Sequence, residues 1–294
     1  MMYRIFLLLL FFTISLLDSK PVSVDEIFTQ RQQFKILATI SYANINQKQQ
    51  GLSNIPTELP NGSGSIQIPV ISSANINQDY LNFSFQFRYG VYKRVELFSA
   101  LSAFWQNNIA FNNGATLTQS RGDFGVWNLG VLVQAKKEGK APAIFVGAST
   151  DLLDRTRFSD TQSSVEYFKG FSIFATTFYT IDPIVLLLQG SFRFNLYKKM
   201  DNLSIDNAEI FSLSPMIYFA VNPYVSLNFG VKYQYKTKDY LNNAVVSPQG
   251  SSLSYIFGLA YEIKAKLIFF MDAEYKNTSE YTMASVNMSI SYRI

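Results

Sequence analysis

Cysteine and histidine are both absent from this sequence. Without cysteine there is no disulfide framework, no thiolate metal site and no lipid-modified cysteine anchor. Without histidine the chain lacks the commonest general base and the commonest metal ligand. Histidine-dependent hydrolase and acyltransferase chemistry is therefore excluded, and neither an enzyme nor a bound cofactor is expected. Charge is scarce too: Asp, Glu, Lys and Arg make up 16% of the chain, against roughly 25% in ordinary soluble domains. The formal net charge of +4 is small, and the basic residues are scattered rather than gathered into a stripe, so nucleic acid is not an expected partner.

Long apolar runs are also missing, with one exception at the front. Met1 to Arg4 carries a positive charge and Ile5 to Leu17 is almost purely apolar. A membrane-spanning helix needs about 20 such residues, whereas the core of a secretory leader needs roughly 7 to 15. Residues 1–19 are read as a cleaved signal peptide, with the cut near Ser19. The next stretch, 20–33, holds Val24, Ile27 and Phe28 near helical spacing and is expected to be either a periplasmic lead-in or a short plug helix. No later run is long enough to cross as a helix, and Ile181 to Gln189 is interrupted by Asp182 and Pro183.

What is present is aromatic residues, 16% of the chain, and a period of two, which sends successive side chains to opposite faces of a strand. Val225, Leu227, Phe229, Val231, Tyr233 and Tyr235 alternate with Ser226, Asn228, Gly230, Lys232, Gln234 and Lys236. Leu81, Phe83, Phe85, Phe87 and Tyr89 alternate with Asn82, Ser84, Gln86 and Arg88. The final segment alternates from Ala284 to Ile294. Short connections (90–94, 136–142, 181–183, 221–223, 262–264) take turns with longer polar ones (45–79, 108–121, 151–169, 198–207, 237–250, 277–281), the order of short periplasmic turns and longer external loops in outer-membrane barrels. The expected fold is an all-β, antiparallel transmembrane barrel over 34–294 with about twelve strands, near 34–44, 80–90, 95–106, 122–135, 142–150, 170–180, 184–197, 209–220, 224–236, 251–261, 266–276 and 283–294. Ten remain possible, because Phe124, Val126, Trp127, Leu129 and Val131 blur the two faces. A two-sheet soluble sandwich is the competing architecture, but its outer face would carry more charge.

Alternation assigns Arg88, Glu96, Arg193, Lys232, Lys236, Asp272, Glu274 and Arg293 to the inner wall, where charges of both signs can constrict a pore and set its field. Asp272 and Glu274 invite a glycosidase or calcium reading. A hydrated wall accounts for them better, since no nucleophile or ligand cluster accompanies them. Tyrosines near strand ends, including Tyr80, Tyr89, Tyr218, Tyr224, Tyr255 and Tyr275, fit interfacial girdles better than a solute site. The Asn-x-Ser/Thr triplets, Asn82 among them, are read as coincidence.

Two stretches carry a family likeness. "YGVYKRVELFSALSAFW" (Tyr89 to Trp105) and "GDFGVWNLGVLVQAKKEGKAPAIFVGAS" (Gly122 to Ser149) resemble consecutive hairpins of the bacterial outer-membrane barrel family labelled MetA-pathway of phenol degradation, also known simply as transporter. Gly122, Asp123, Gly130 and Pro142 match its pattern of a Gly-Asp strand opening, a charged turn with proline and a small-residue return strand. The resemblance implies a bacterial outer-membrane location and movement of small or hydrophobic compounds, and it supplies no catalytic residues.

The leading functional expectation is a channel or transporter for passive uptake of small, hydrophobic or aromatic solutes. Eight strands are nearly filled by side chains and sixteen to eighteen leave an open bore, so about twelve should leave a narrow or plugged passage, with 45–79 folding over or into the mouth. The expected partners are outer-membrane lipid, the barrel-assembly machinery and a small-molecule solute. The alternative is a non-conducting surface barrel for adhesion or protein export.

Overall fold

The computed structural model describes residues 27–47, 51–58, 65–72, 76–112, 115–157, 163–200 and 203–294. The leader and the first part of the 20–33 stretch lie outside the described residues. Twelve strands form the wall: β1 (Phe34–Gln47), β2 (Ile76–Tyr92), β3 (Val95–Asn112), β4 (Ala115–Lys136), β5 (Ala143–Arg157), β6 (Gly170–Ile181), β7 (Ile184–Asn195), β8 (Ile210–Asn222), β9 (Val225–Lys236), β10 (Gly250–Lys264), β11 (Leu267–Asn277) and β12 (Tyr281–Arg293). Each pairs antiparallel with its sequence neighbour, and the ring closes where β1 joins β12 from Lys35↔Arg293 to Gln47↔Tyr281. Closure leaves no wall edge with unpaired backbone groups, which hydrocarbon would not tolerate.

The period of two becomes an inside and an outside. On β2, Asn82, Ser84, Gln86 and Arg88 are buried while Phe83, Phe85 and Phe87 are exposed. Exposed Leu97, Leu101, Trp105, Trp127, Leu186, Leu188, Ile217, Phe229 and Phe257 continue the outer belt. A ring with aliphatic and aromatic side chains outside and Ser, Asn, Gln and charge inside is built for lipid, not for the surface of a soluble sandwich.

The strand count is twelve, and the ambiguity at the fourth has a structural cause. Bulges shift the β3–β4 register between Leu101 and Ala103 and the β4–β5 register between Trp127 and Asn128, so strict alternation fails there. The expected 108–121 loop is instead an extension of β3 and β4, paired out to Asn112↔Ala115. Outside the hydrocarbon, pairing no longer requires one apolar face, which is why the sequence pattern stops before the strands do.

Connections 93–94, 137–142, 182–183, 223–224 and 265–266 define a turn end. At the opposite, loop end, Lys198–Met200, Leu203–Asp206, Asp239–Leu241 and Ala244–Ser247 form a separate four-stranded sheet from two different loops. The 45–79 loop folds into a hairpin, Gly51–Glu58 with Ser65–Ser72, whose first strand lies beside Ala244–Ser247. It therefore meets the loop sheet at the loop end of the barrel.

Candidate functional site: the lumen

Strand parity fills the barrel with side chains of two kinds. From β3 to β8 the inner wall of the turn-end half is apolar: Phe98, Leu132, Phe145, Phe174, Phe178, Val185 and Leu187 form one cluster, against which Phe28, Met216 and Tyr218 pack. Much of the remaining wall is polar, with Thr39, Ser226, Lys232, Gln234, Ser254, Lys276, Ser289 and Ser291 all buried, beside a second buried apolar cluster of Ala43, Ile45, Tyr80, Phe104, Tyr281 and Met283. Val185, Ser226, Ser254 and Lys276 are each 0% exposed, so the lumen is filled across both walls rather than open to a wide water column.

Small residues allow long side chains to lie flat along the wall and reach a second-neighbour strand. Arg193 on β7 pairs with Asp151 on β5 by passing over Gly170 on β6, where an added Cβ would stand 2.1 Å from Asp151 Oδ2 and 2.3 Å from Arg193 Nη2. Asn228 on β9 donates to Asp272 on β11 at 3.0 Å across Gly258, where a Cβ would stand 2.0 Å from Asp272 Oδ1. Lys232 reaches Glu274 at 2.7 Å over Ser254, and Lys276 donates to Gln234. Phe98 and Phe174, with ring centroids 6.1 Å apart, use Gly130 and Gly147 in the same way.

At the turn end the chain entering β1 turns into the lumen. Residues 27–33 are not helical. Ile27 belongs to the apolar cluster and the Phe28 ring lies tilted against Phe145, 5.7 Å between centroids. Arg88 Nε donates to Glu96 Oε1 at 2.5 Å, and its Nη2 donates to the Ile27 carbonyl oxygen at 2.7 Å. The Thr29 amide donates to Glu96 Oε2, Gln32 N to Gly90 O at 2.7 Å and Gly90 N to Gln33 O at 3.1 Å. Gly90 permits this contact, because a Cβ there would lie 1.9 Å from the Gln30 carbonyl oxygen.

The wall is weakened at Pro215, as it is at the bulges beside Trp127. Between β8 and β9 the register runs to Leu213↔Tyr233 and resumes unchanged at Met216↔Gly230, so Ser214 and Pro215 drop out of the ladder. Proline has no N–H to give. An open groove of about 540 Å³ on the outer face runs over this break, lined by Leu186, Leu188, Ile217, Phe229 and Val231 and, from the inner row, by Phe178, Leu187, Met216 and Gly230. The break thus adjoins the apolar cluster of the lumen.

Around Lys236 the loop end is polar. Lys236 donates to Glu280 at 3.1 Å and lies 3.7 Å from Asp239, while Asp239 Oδ1 accepts from Ala208 N at 2.8 Å. Burial, with Glu280 nearby, pushes the Asp239 carboxyl above its ordinary range against the opposing pull of Ala208 N–H and Lys236. An acid with a raised folded value binds its proton more tightly when folded. Its stabilisation of the loop sheet is therefore complete below the ordinary carboxylate range and is lost as pH rises through the raised value. Asp239→Asn should leave the protection of amides across 239–247, taken relative to their intrinsic exchange rates, independent of pH in that window, whereas in the parent chain that protection should fall as pH rises.

Of the residues that alternation assigns to the inner wall, Arg88, Glu96, Arg193 and Lys232 are buried in the lumen. Asp272 and Glu274 join them through Asn228 and Lys232. Arg293 is half-buried at the turn end. Lys236 lies with the loops and bonds Ser247 and Glu280. Asp151, Lys35 and Lys276 belong to the same interior. Tyr80 and Tyr218 are not girdle residues: Tyr80 is buried and stacks on Phe104 at 5.5 Å, and Tyr218 packs on the inner apolar cluster. Tyr224, Tyr255 and Tyr275 are exposed on the outer face.

No family model matches the chain, and no curated protein does. Among solved structures the fold is similar to an outer membrane channel from Pseudomonas putida F1, with a TM-score of 0.63 and 9% identity over 90% of this chain and 97% of that one. The translocator domain of the autotransporter NalP from Neisseria meningitidis matches with a TM-score of 0.56 and 9% identity, covering 92% of each chain. The transport unit of the autotransporter AIDA-I from Escherichia coli gives 0.51 and 10%, over 88% and 90%. Likeness at these identities carries the fold, a closed barrel of the outer-membrane type.

Proposed function

We propose that the chain is a bacterial outer-membrane channel for passive passage of small apolar or aromatic solutes, plugged at its turn end by residues 27–33. The observation that carries this reading is the aromatic seat inside the lumen, filled by Ile27 and adjoining the wall break at Pro215. An apolar solute gains about 25 cal/mol for each Å² it buries there. The break offers it a route into hydrocarbon without crossing the polar wall. The Tyr89 to Ser149 likeness to the phenol-degradation barrel family supports the same class of cargo, and the channel from Pseudomonas putida F1 shares the fold. Protein export is disfavoured, because a lumen filled at Val185, Ser226 and Lys276 leaves no bore for a polypeptide.

Uptake of radiolabelled toluene by porin-deficient cells expressing the chain tests this reading. Uptake above the empty-vector rate is expected. Pro215→Val, which restores the missing N–H, should bring uptake close to background while the folded barrel still migrates as a heat-modifiable band. Uptake indifferent to Pro215→Val removes the wall route, and no uptake with a folded barrel removes the channel.

A further inference from the structure

The acids inside the barrel are of two kinds. Glu96 is bonded to Arg88, Asp151 to Arg193 and Glu274 to Lys232. Asp272 differs: among the described residues no lysine or arginine bonds it, and the group that does is the neutral Asn228 amide, at 3.0 Å. The strand registers give the reason. Tyr218, Asn228, Gly258, Asp272, Asn287 and Ser41 follow one another as directly opposed residues from β8 round to β1, and Asp272 holds the one charge in that row.

Nor is this acid sealed into the wall. On nearby rows Ser226, Ser254 and Lys276 are each 0% exposed, whereas Met216, Tyr218, Asn228, Phe270, Asp272 and Asn287 are only part-buried. These side chains share the inner face by parity with Asn228, so the surface left open faces the lumen. The oxygens there are short of donors. Asn228 Oδ1 is buried and accepts no hydrogen bond among the described residues. A Cβ at Gly258 would stand 2.0 Å from Asp272 Oδ1 and 2.5 Å from Asn228 Oδ1, so a carboxylate oxygen and an unpartnered carbonyl oxygen lie close together over the glycine. Tyr218, opposite Asn228, turns its hydroxyl hydrogen to Met216 Sδ at 3.6 Å, which leaves its oxygen able to accept.

An uncompensated carboxylate inside a protein costs stability. A cation carrying several N–H groups offsets that cost and supplies the missing donors together. A divalent metal fits less well, because calcium takes about six to eight oxygens and the described residues hold no cluster of three acids. Met216 and Tyr218 pack against the cluster of Phe98, Phe145 and Phe174, so a cation at Asp272 lies beside a surface that favours an apolar body. We propose that Asp272, with Asn228 and Tyr218, forms a lumen binding site for the ammonium group of a small hydrophobic amine; this rests on the channel reading above and narrows its cargo. The ammonium donates to the Asp272 carboxylate and to Asn228 Oδ1, and the apolar body lies along Met216 and Tyr218 towards the aromatic seat.

The test compares benzylamine, protonated at neutral pH, with benzyl alcohol, which has the same ring and no charge, by calorimetric titration of the chain refolded in detergent. Benzylamine should bind about tenfold more tightly, the difference that a hydrogen bond to a charged group gives. Asp272→Asn keeps the shape, removes the charge and should bring the ratio towards unity. Without ligand this variant should keep its folded band to at least the parent's temperature, since no cation loses its partner, and benzylamine should raise that temperature for the parent alone. Equal affinity for the two probes, binding of neither, a ratio untouched by Asp272→Asn, or a variant that unfolds sooner than the parent overturns the amine site. Toluene carries no charge, so its uptake tests the channel apart from this site.

Discussion

Gly90→Val should turn a blocked barrel into a steadily conducting one. A Cβ at position 90 would lie 1.9 Å from the Gln30 carbonyl oxygen and 2.8 Å from that of Thr29. Both are backbone atoms that cannot swing aside as a side-chain tip can. The strand tolerates valine well, so the strain falls on the entering segment, which must leave Gly90 and give up the Gln32–Gly90 and Gly90–Gln33 bonds. The Arg88 and Glu96 contacts to Ile27 and Thr29 lose their geometry with it. In planar bilayers the parent chain should show brief, small openings, and Gly90→Val should show sustained current several times larger. Trypsin cleavage at Arg31 in the folded barrel should accelerate in parallel. Current identical to the parent, with Arg31 cut no faster, would show that the segment is not a plug.

The second large effect concerns stability. Arg193→Met removes the cation that faces Asp151, whose side chain is 1% exposed. Breaking a buried pair in this way costs about 3–5 kcal/mol, because an uncompensated charge stays behind, whereas replacing both partners with apolar groups of similar size is often neutral. The single variant should lose its folded band at a markedly lower temperature in detergent, and Arg193→Met combined with Asp151→Leu should recover most of the loss. A double variant no more stable than the single would mean that the cost arises from packing over Gly170 rather than from charge.

Much of the architecture was legible because lipid imposes a strict rule on each strand. Where one face must be apolar, as at Leu81 to Tyr89 or Val225 to Tyr235, parity reads out inside and outside. It fails where the rule relaxes. The extension of β3 and β4 towards Asn112 and Ala115 looks like a loop, since Asn107, Asn108, Asn112, Thr116, Thr118 and Gln119 break up the apolar alternation there. The bulges beside Trp127 shift the parity by one. Parity also placed Arg88, Glu96, Arg193 and Lys232 inside, but not their partners. Asp151 sits where the sequence turns polar and reads as the start of a loop. Its pairing with Arg193 depends on two successive registers and on the missing Cβ of Gly170, none of which a single segment displays. The apolar half of the lumen was hidden for a related reason: Phe98, Phe145 and Phe174 are apolar residues on the inner face, where the rule leads one to expect polar ones. Tyr218 was misplaced by the same assumption.

The side chains that step over a glycine or serine also constrain the order in which the ring can be assembled. Asp151 and Arg193 belong to strands separated by β6, as do Lys232 and Glu274 by β10. A lone hairpin entering the bilayer therefore carries a carboxylate with its counter-ion still outside. Insertion two strands at a time would strand those acids in hydrocarbon at a cost of several kcal/mol each. Delivery of three or more strands as a curved sheet, with the concave side kept wet, avoids it.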